Sequence, residues 1–279
     1  MFRGAKANKT KKELTDTDYT VVPNFGATLF AEVCSNTLSG NVLISPLSVY
    51  KALDLVNDGA TPGSDNKAEM EQVLGPPFSV QETEGEDTED ADVQLTVATS
   101  LWADELKQSF VDKAISDHSA EAMPLPTRYT PIDDWIEKNT NGLIGGFLGN
   151  DRIPDDIKAL VVNAVYFKAT WSNMFDSENT VDGEFVLRNG ETIPTRFMTD
   201  TRFMGFIDKS PELGWASAIT LDYGKGDQNP SEFTALFILP ATSDDESMKA
   251  AIEGLKSVPI SKLLQDALEI EVDLKLPRF

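Results

Sequence analysis

The side chains that could act as a nucleophile or a base are few. The sequence contains one histidine, His118, and one cysteine, Cys34. Acyl transfer needs a base beside its nucleophile, and a structural zinc site needs several Cys or His ligands. His118 lies in the polar stretch 116–119 near the end of a predicted helix, which favours a solvated surface histidine over a general base. Cys34 has helical spacing with Phe25 and Leu29, which predicts a buried core thiol rather than a reactive one.

Carboxylates are plentiful, but their positions predict structural roles. Asp133-Asp134 falls at a helix start and Asp155-Asp156 in a turn. No zinc, phosphate-loop, dinucleotide-binding or nucleophile-elbow motif is found in the sequence. We therefore predict no catalytic, cofactor-binding or metal-binding residue, no cofactor, and a protein that is not an enzyme.

The charge balance bears on possible partners. The sequence has 46 Asp and Glu residues against 24 Lys and Arg, a formal net charge of -22. A protein of this sign repels phosphate backbones, which argues against nucleic acid as a partner. No run approaches the length of apolar sequence that a membrane helix requires, so no membrane partner is predicted.

Helices dominate the first half of the predicted elements and strands the second. Apolar residues at helical spacing start near Asn24 and again after Ser45-Pro46, where Ser is a cap and Pro a first helical residue. Short apolar or alternating runs predict strands, and Asn189-Gly190 predicts a hairpin turn. The predicted strands are at 42–44, 93–101, 159–167, 185–187, 233–239 and 268–276, and further helices start near 67, 110, 130 and 248. This order predicts an α+β fold.

Several segments, taken together and in order, resemble one family, the serpins. The resemblance covers the chain from about Asn24 to the last residue. The segments that carry it are Asn41-Val-Leu-Ile-Ser-Pro-Leu-Ser48, Asp58-Gly59-Ala60, Met70 with Val73-Leu74-Gly75, Thr99-Ser-Leu-Trp102, Ile132 to Gly142 with Trp135 and Asn139, Val161-Val-Asn-Ala-Val-Tyr-Phe-Lys-Ala-Thr-Trp171, Phe197-Met198 and Leu276-Pro-Arg-Phe279.

The resemblance implies helices packed on a large central mixed sheet with smaller sheets. It also implies a mechanism of suicide inhibition, in which a cleaved reactive loop inserts into the central sheet as a new strand and traps the protease. In that mechanism Ser45, Ser48 and Asn163 would lie in the "shutter" that opens for insertion, and Trp171 in the "breach" where insertion begins. The expected partner of a complete protein is a serine or cysteine protease.

The chain departs from the family pattern at three places. The resemblance implies that residues 21–279 form an incomplete serpin domain, because the reactive loop, its scissile bond and the last strands follow the Leu276–Phe279 segment in the family. The segment 81–92 is acidic where some members carry a basic heparin-binding helix, which argues against heparin. In addition, Ala169-Thr170 replaces the usual Gly-Lys. Because interior strands are missing, we expect the isolated chain to aggregate or to fold incompletely.

Two further function classes stay open beside the inhibitor. A non-inhibitory serpin relative would act as a binding, storage or chaperone-like protein, and an unrelated enzyme has no motif in its favour.

Residues 1–20 are predicted to be a disordered polar tail. The absence of a secretory signal and the single cysteine predict a cytoplasmic location, with the extracellular space as the alternative if the N-terminus is wrong.

Overall fold

A computed structural model describes residues 3–7, 25–36, 40–75, 93–187, 189–224 and 233–279. The chain divides into two compact units. Unit 1 comprises Met1–Leu38 and Ala169–Phe279, and unit 2 comprises Ser39–Lys168. The acidic segment 81–92, and with it the expectation about heparin, lies outside the described residues.

The helices and strands alternate irregularly along the chain. In chain order they are β1 (Arg3–Ala7), α1 (Phe25–Asn36), α2 (Pro46–Gly59), α3 (Asp65–Leu74), β2 (Val93–Ala103), α4 (Gln108–His118), β3 (Glu121–Met123), α5 (Thr130–Asn139), β4 (Ala159–Ala169), β5 (Thr180–Val186), β6 (Thr192–Ser210), β7 (Ala216–Asp222), β8 (Thr234–Leu239), α6 (Asp245–Ser257), α7 (Ile260–Asp266) and β9 (Leu268–Pro277).

Unit 2 combines helices α2 to α5 with a three-stranded sheet. Its strand order is β3-β2-β4, and β2 runs parallel to β3. The main core cluster joins strand and helix residues, among them Trp102, Ile132, Trp135 and Ala164. The burial of Ile132 and Trp135 follows from their spacing on α5, which places both on the face that contacts this core.

Unit 1 is built on a six-stranded sheet. Five strands follow the order β1-β9-β6-β7-β8, and β5 pairs with another part of the long strand β6. The alternating pattern of β9 predicted one buried face, and Val272 and Leu274 are fully buried against Met204 and Ile219. These elements make the predicted α+β class correct.

Three local predictions are wrong. Residues 42–44 are not a strand, and Leu43 is 96% exposed, because no strand among the described residues of unit 2 pairs with them. Thr130 precedes Pro131 as an expected N-cap of α5, but Tyr129 holds the cap position, and the Thr130 hydroxyl donates to Asn150 Oδ1 instead. The apolar run at 159–167 favours a strand covered on both faces, but β4 is an outer strand among the described strands, and most of its residues are only partly buried.

The N-terminal prediction also needs correction. Residues 1–20 were expected to be a disordered tail, but Arg3–Ala7 form β1, which pairs antiparallel with β9 with an irregularity between Ala5 and Ala7. Strand β9 has β6 on its other side, so its outer edge presents backbone groups that an extended segment can satisfy. The rest of the predicted tail lies outside the described residues.

Candidate functional site

The first predicted site residues lie at the start of α2. Ser45 is the N-cap in an extended conformation, and Pro46 follows as the first helical residue. The backbone N–H of Ser48 donates to Ser45 Oγ over 3.2 Å. This bond satisfies one of the amides that a helix start leaves unpaired, so the cap predicted from sequence fixes both serines in place.

Asn163 lies in the middle of β4 and contacts the neighbouring strand. Its Nδ2 donates to Thr99 Oγ1 over 2.8 Å, and Thr99 is 5% exposed. The other amide atom, Oδ1, is buried without a hydrogen-bond partner among the described residues. An Asn side chain in a strand interior needs partners for both of its amide groups, and among the described residues only the donor has one.

Ser45, Ser48 and Asn163 share one cavity of unit 2. Its volume is about 630 Å³, and its walls are mostly apolar, with Ile132, Ile136, Leu160 and Val162 among the lining residues. The three residues that the family resemblance placed in one region thus line one cavity. The cavity offers apolar surface and hydroxyls but no histidine or cysteine, so it suits packing of a chain segment rather than covalent chemistry.

Trp171 lies in unit 1. Its ring stacks on Tyr223 at a centroid distance of 4.4 Å and an interplanar angle of 13°. Phe175 approaches it edge-on at 6.5 Å and Phe237 at a tilt at 6.1 Å. The Ser172 hydroxyl also donates to the carbonyl of Tyr223 over 3.0 Å. The predicted breach residue is therefore held in an aromatic cluster that would have to repack if strands moved apart.

Sequence reasoning missed Arg202, which fixes the segment that follows Trp171. Its side chain is 17% exposed, and Nη1 lies 3.0 Å from Asp200 Oδ2. It donates to the carbonyl of Asn173, and its guanidinium lies 4.8 Å from the centre of the Phe175 ring. Burial lowers the pKa of Arg202, against the opposing effect of Asp200. The spacing of Asp200 and Arg202 on one face of β6 was the available signal.

His118 is not the solvated surface residue that its polar neighbours predicted. Its side chain is 6% exposed, and Nε2 lies 2.9 Å from Asp58 Oδ2. Helix α2 ends at Gly59, and Asp58 beside it contacts both Lys113 and His118 of α4, so residues far apart in sequence form one charged cluster. Cys34 is buried, as predicted, and burial raises the pKa of its thiol. Among the described residues no group of three or more metal-ligating side chains converges.

The chain is similar to known proteins in sequence and in fold. A profile of the serpin family, described as serine protease inhibitor, matches residues 21–279. This chain therefore belongs to the serpin family. No helix in the described part of the chain has the length and apolar character needed to cross a bilayer.

Individual relatives agree with this assignment. Serpin-Z4 of Hordeum vulgare is 27% identical over 244 residues, covering 79% of this chain and 59% of the barley protein. Serpin B12 of Homo sapiens is 26% identical over 300 residues, covering 90% of this chain and 71% of the human protein. The chain thus spans about three fifths of the length of the barley relative.

Solved structures show the same fold at low identity. Ovalbumin from emu (Dromaius novaehollandiae) has a TM-score of 0.73 at 21% identity, with 92% of this chain and 72% of that chain covered. An Arabidopsis serpin in its native stressed conformation has a TM-score of 0.73 at 23% identity, with 91% and 68% covered. These matches confirm the predicted serpin-like fold.

Proposed function

We propose that the complete protein containing this chain is a serpin-type inhibitor of endopeptidases, and that β4 is the strand beside which its cleaved reactive loop inserts. The observation that carries this proposal is the position of β4. Among the described strands of unit 2, β4 is an outer strand of eleven residues. Asn163, near its middle, borders the apolar cavity. An outer strand can accept a new neighbour through its unpaired backbone groups.

The polar groups at the cavity support a role in strand insertion. Asn163 holds β4 to β2 through Thr99, while its Oδ1 is an acceptor without a partner in the described structure. An inserted segment that repacks this region could donate to that oxygen and fill the apolar volume. Both changes would stabilise the product of insertion relative to the starting state, which is the direction that suicide inhibition needs.

The target is a serine protease or, as the second possibility, a cysteine protease, since both form acyl-enzymes that insertion could trap. The experiment is to express the protein from the complete transcript and incubate it with trypsin, chymotrypsin and papain. We expect a covalent complex that survives a denaturing gel. Cleavage of the protein without any complex would contradict the proposal and favour a non-inhibitory relative with a binding, storage or chaperone-like role.

Variants of the site connect the outcome to the geometry. Asn163→Ala removes the contact with Thr99, and we expect a larger share of simple cleavage relative to complex formation. Asn66→Ala, at an exposed position of α3, is the control and should leave the ratio unchanged. Equal ratios for both variants would show that Asn163 has no part in insertion.

A cytoplasmic location stays a prediction, which fractionation of cells can test.

A further inference from the structure

Strand β5 forms an open edge in unit 1. Thr180–Val186 pair with β6 residue for residue, from Thr180 opposite Met198 to Val186 opposite Thr192, with no irregularity in the register. Among the described strands, β6 is the one neighbour of β5. The other side of β5 therefore presents alternate N–H and C=O groups along a regular strand, which is the geometry that accepts an added strand.

The two faces of this edge differ in chemistry. Val181 and Phe185 lie on one face, and Ile193 of β6 lies directly opposite Phe185. These three apolar side chains are between 42% and 44% exposed. Together they form a small apolar stripe that reaches the open edge, where a further apolar side chain could cover it.

The other face is acidic at the edge. It carries Asp182 and Glu184, with the exposed Val186 at the end of the strand, and the Asp182 side chain is 94% exposed. Arg196 lies opposite Asp182, with Nε 4.0 Å from Oδ1, whereas Glu184 lies opposite Pro194 and has no cation across the strand pair. Among the described residues of this face, two carboxylates have one distant, exposed cation beside them, so this part of the edge is negative.

We propose that the β5 edge is a docking site for an extended segment of another protein in which apolar and basic residues alternate. The backbone of that segment adds to β5. Its apolar side chains lie beside Val181 and Phe185, and its Lys or Arg side chains lie beside Asp182 and Glu184. The pattern follows from strand geometry, because neighbours across an added strand meet on the same face.

Charge argues against a second copy of this chain as the occupant. A two-fold symmetric pairing centred on Gly183 would place Asp182 of one copy opposite Glu184 of the other. Like charges directly opposite each other destabilise a strand pair. Acidic side chains on this outer strand thus oppose pairing with a second copy and favour a basic partner. Natural sheets commonly use charged side chains on edge strands to prevent self-association.

The test uses the 279-residue chain and a labelled peptide in which Val and Lys alternate, matched in length to β5. Fluorescence anisotropy measures its binding. Two control peptides isolate the two parts of the proposal: one has Glu in place of Lys, and one is N-methylated on the amides of one edge. We expect saturable binding of the Lys peptide and at least about tenfold weaker binding of both controls. No binding of the Lys peptide, or equal binding of either control, overturns the proposal.

Two double variants then locate the site. Asp182→Lys with Glu184→Lys should weaken binding of the Lys peptide about tenfold, because two attractive cross-strand pairs become repulsive. Glu69→Lys with Glu105→Lys makes the same change in net charge at exposed positions outside β5. An equal loss in both variants would reduce the effect to net charge and overturn the proposal, as would full binding by the β5 variant. Circular dichroism verifies that both variants are folded.

Discussion

The imidazole of His118, at the end of α4, donates from Nε2 to Asp58 Oδ2 on α2 over 2.9 Å. The second oxygen of Asp58 lies 2.8 Å from Lys113 Nζ, and Asp54 Oδ2 lies 3.8 Å from His118 Nδ1. Burial raises the pKa of Asp58, but the hydrogen bonds from Lys113 and His118 outweigh it, so the pKa lies below its usual value. The Asp58 carboxylate therefore links α2 to α4 through contacts with Lys113 and His118.

Replacement of Asp58 should destabilise unit 2. Asp58→Asn keeps the shape of the side chain but removes the charge that both donors face, so we expect a loss of about 1–3 kcal/mol in the free energy of unfolding. Urea denaturation measures this. Glu105→Gln, at an exposed position, should change stability by less than about 0.5 kcal/mol. His118→Gln combined with Asp58→Asn should lose less than the sum of the single changes, and full additivity would show that the two residues do not interact.

The same carboxylate gives a pH dependence with a defined sign. The pKa of Asp58 is lowered in the folded chain, so its contribution to stability is complete above the unfolded pKa and is lost as pH falls through the folded pKa. We expect the stability difference between the wild-type chain and Asp58→Asn to shrink on acidification below about pH 4. Thermal unfolding at a series of pH values provides the measurement, and a difference that stays constant down to pH 2 would be inconsistent with this assignment.

The aromatic stack of Trp171 should be a main contributor to the stability of unit 1. Trp171→Ala removes the contacts with Tyr223, Phe175 and Phe237, and since the indole is half-buried we expect a loss of about 2–3 kcal/mol. Tyr223→Phe keeps the stacked ring and should lose less than about 1 kcal/mol. Chemical denaturation followed by circular dichroism compares them. A similar loss for both variants would assign the effect to the tyrosine hydroxyl instead of the stack.

Asp133 should hold the segment that follows α5. Its carboxylate is 5% exposed and accepts from the backbone N–H groups of Leu148 and Gly149 over 2.9 and 2.8 Å. Asp133→Asn would direct an amide N–H toward one of these donors, with a loss of about 1–3 kcal/mol. Hydrogen exchange at Leu148 and Gly149 should become faster, whereas Asp134→Asn, an exposed neighbour, should leave it unchanged. Unchanged exchange in Asp133→Asn would rule out the role of the carboxylate.

The isolated chain should associate through exposed apolar side chains. Leu143 and Phe147 are each 76% exposed, and Leu43 is 96% exposed. Such side chains bind one another or a hydrophobic dye when nothing covers them. We expect dye binding and concentration-dependent light scattering, both reduced by Leu143→Lys with Phe147→Lys. A sharp, monomeric unfolding transition of the unmodified chain at high concentration would refute this prediction.

Much of the fold could be predicted because its signals are local. The cap at Ser45, the stop at Gly59, the turn at Asn189-Gly190 and the alternation of β9 each depend on a few neighbouring residues, and the structure confirms them. The short strand β7 and helix α7 were not predicted, since β7 lies between β6 and β8 and gains its pairing from residues distant in sequence. Residues 42–44 show the opposite case. Their apolar run predicted a strand, but without a pairing partner it does not form one.

The candidate site divides along the same line. The family resemblance named Ser45, Ser48 and Asn163, which line one cavity of unit 2, and Trp171, which lies in unit 1. The partners of His118 and Arg202 could not be predicted. Both residues are buried by carboxylates, carbonyls and rings that only folding brings close. For His118, the polar neighbours in sequence predicted an exposed side chain instead.

By itself, the amino-acid sequence determined the family, the α+β class, the positions of most helices and the lack of any nucleophile–base motif, because these depend on residue types and short spacings. Only the tertiary structure decided that β4 and β5 are outer strands, that β1 pairs with β9, and that His118 joins α4 to α2. Edges, ion clusters and cavities arise from contacts between distant segments, and no local pattern specifies which segments meet.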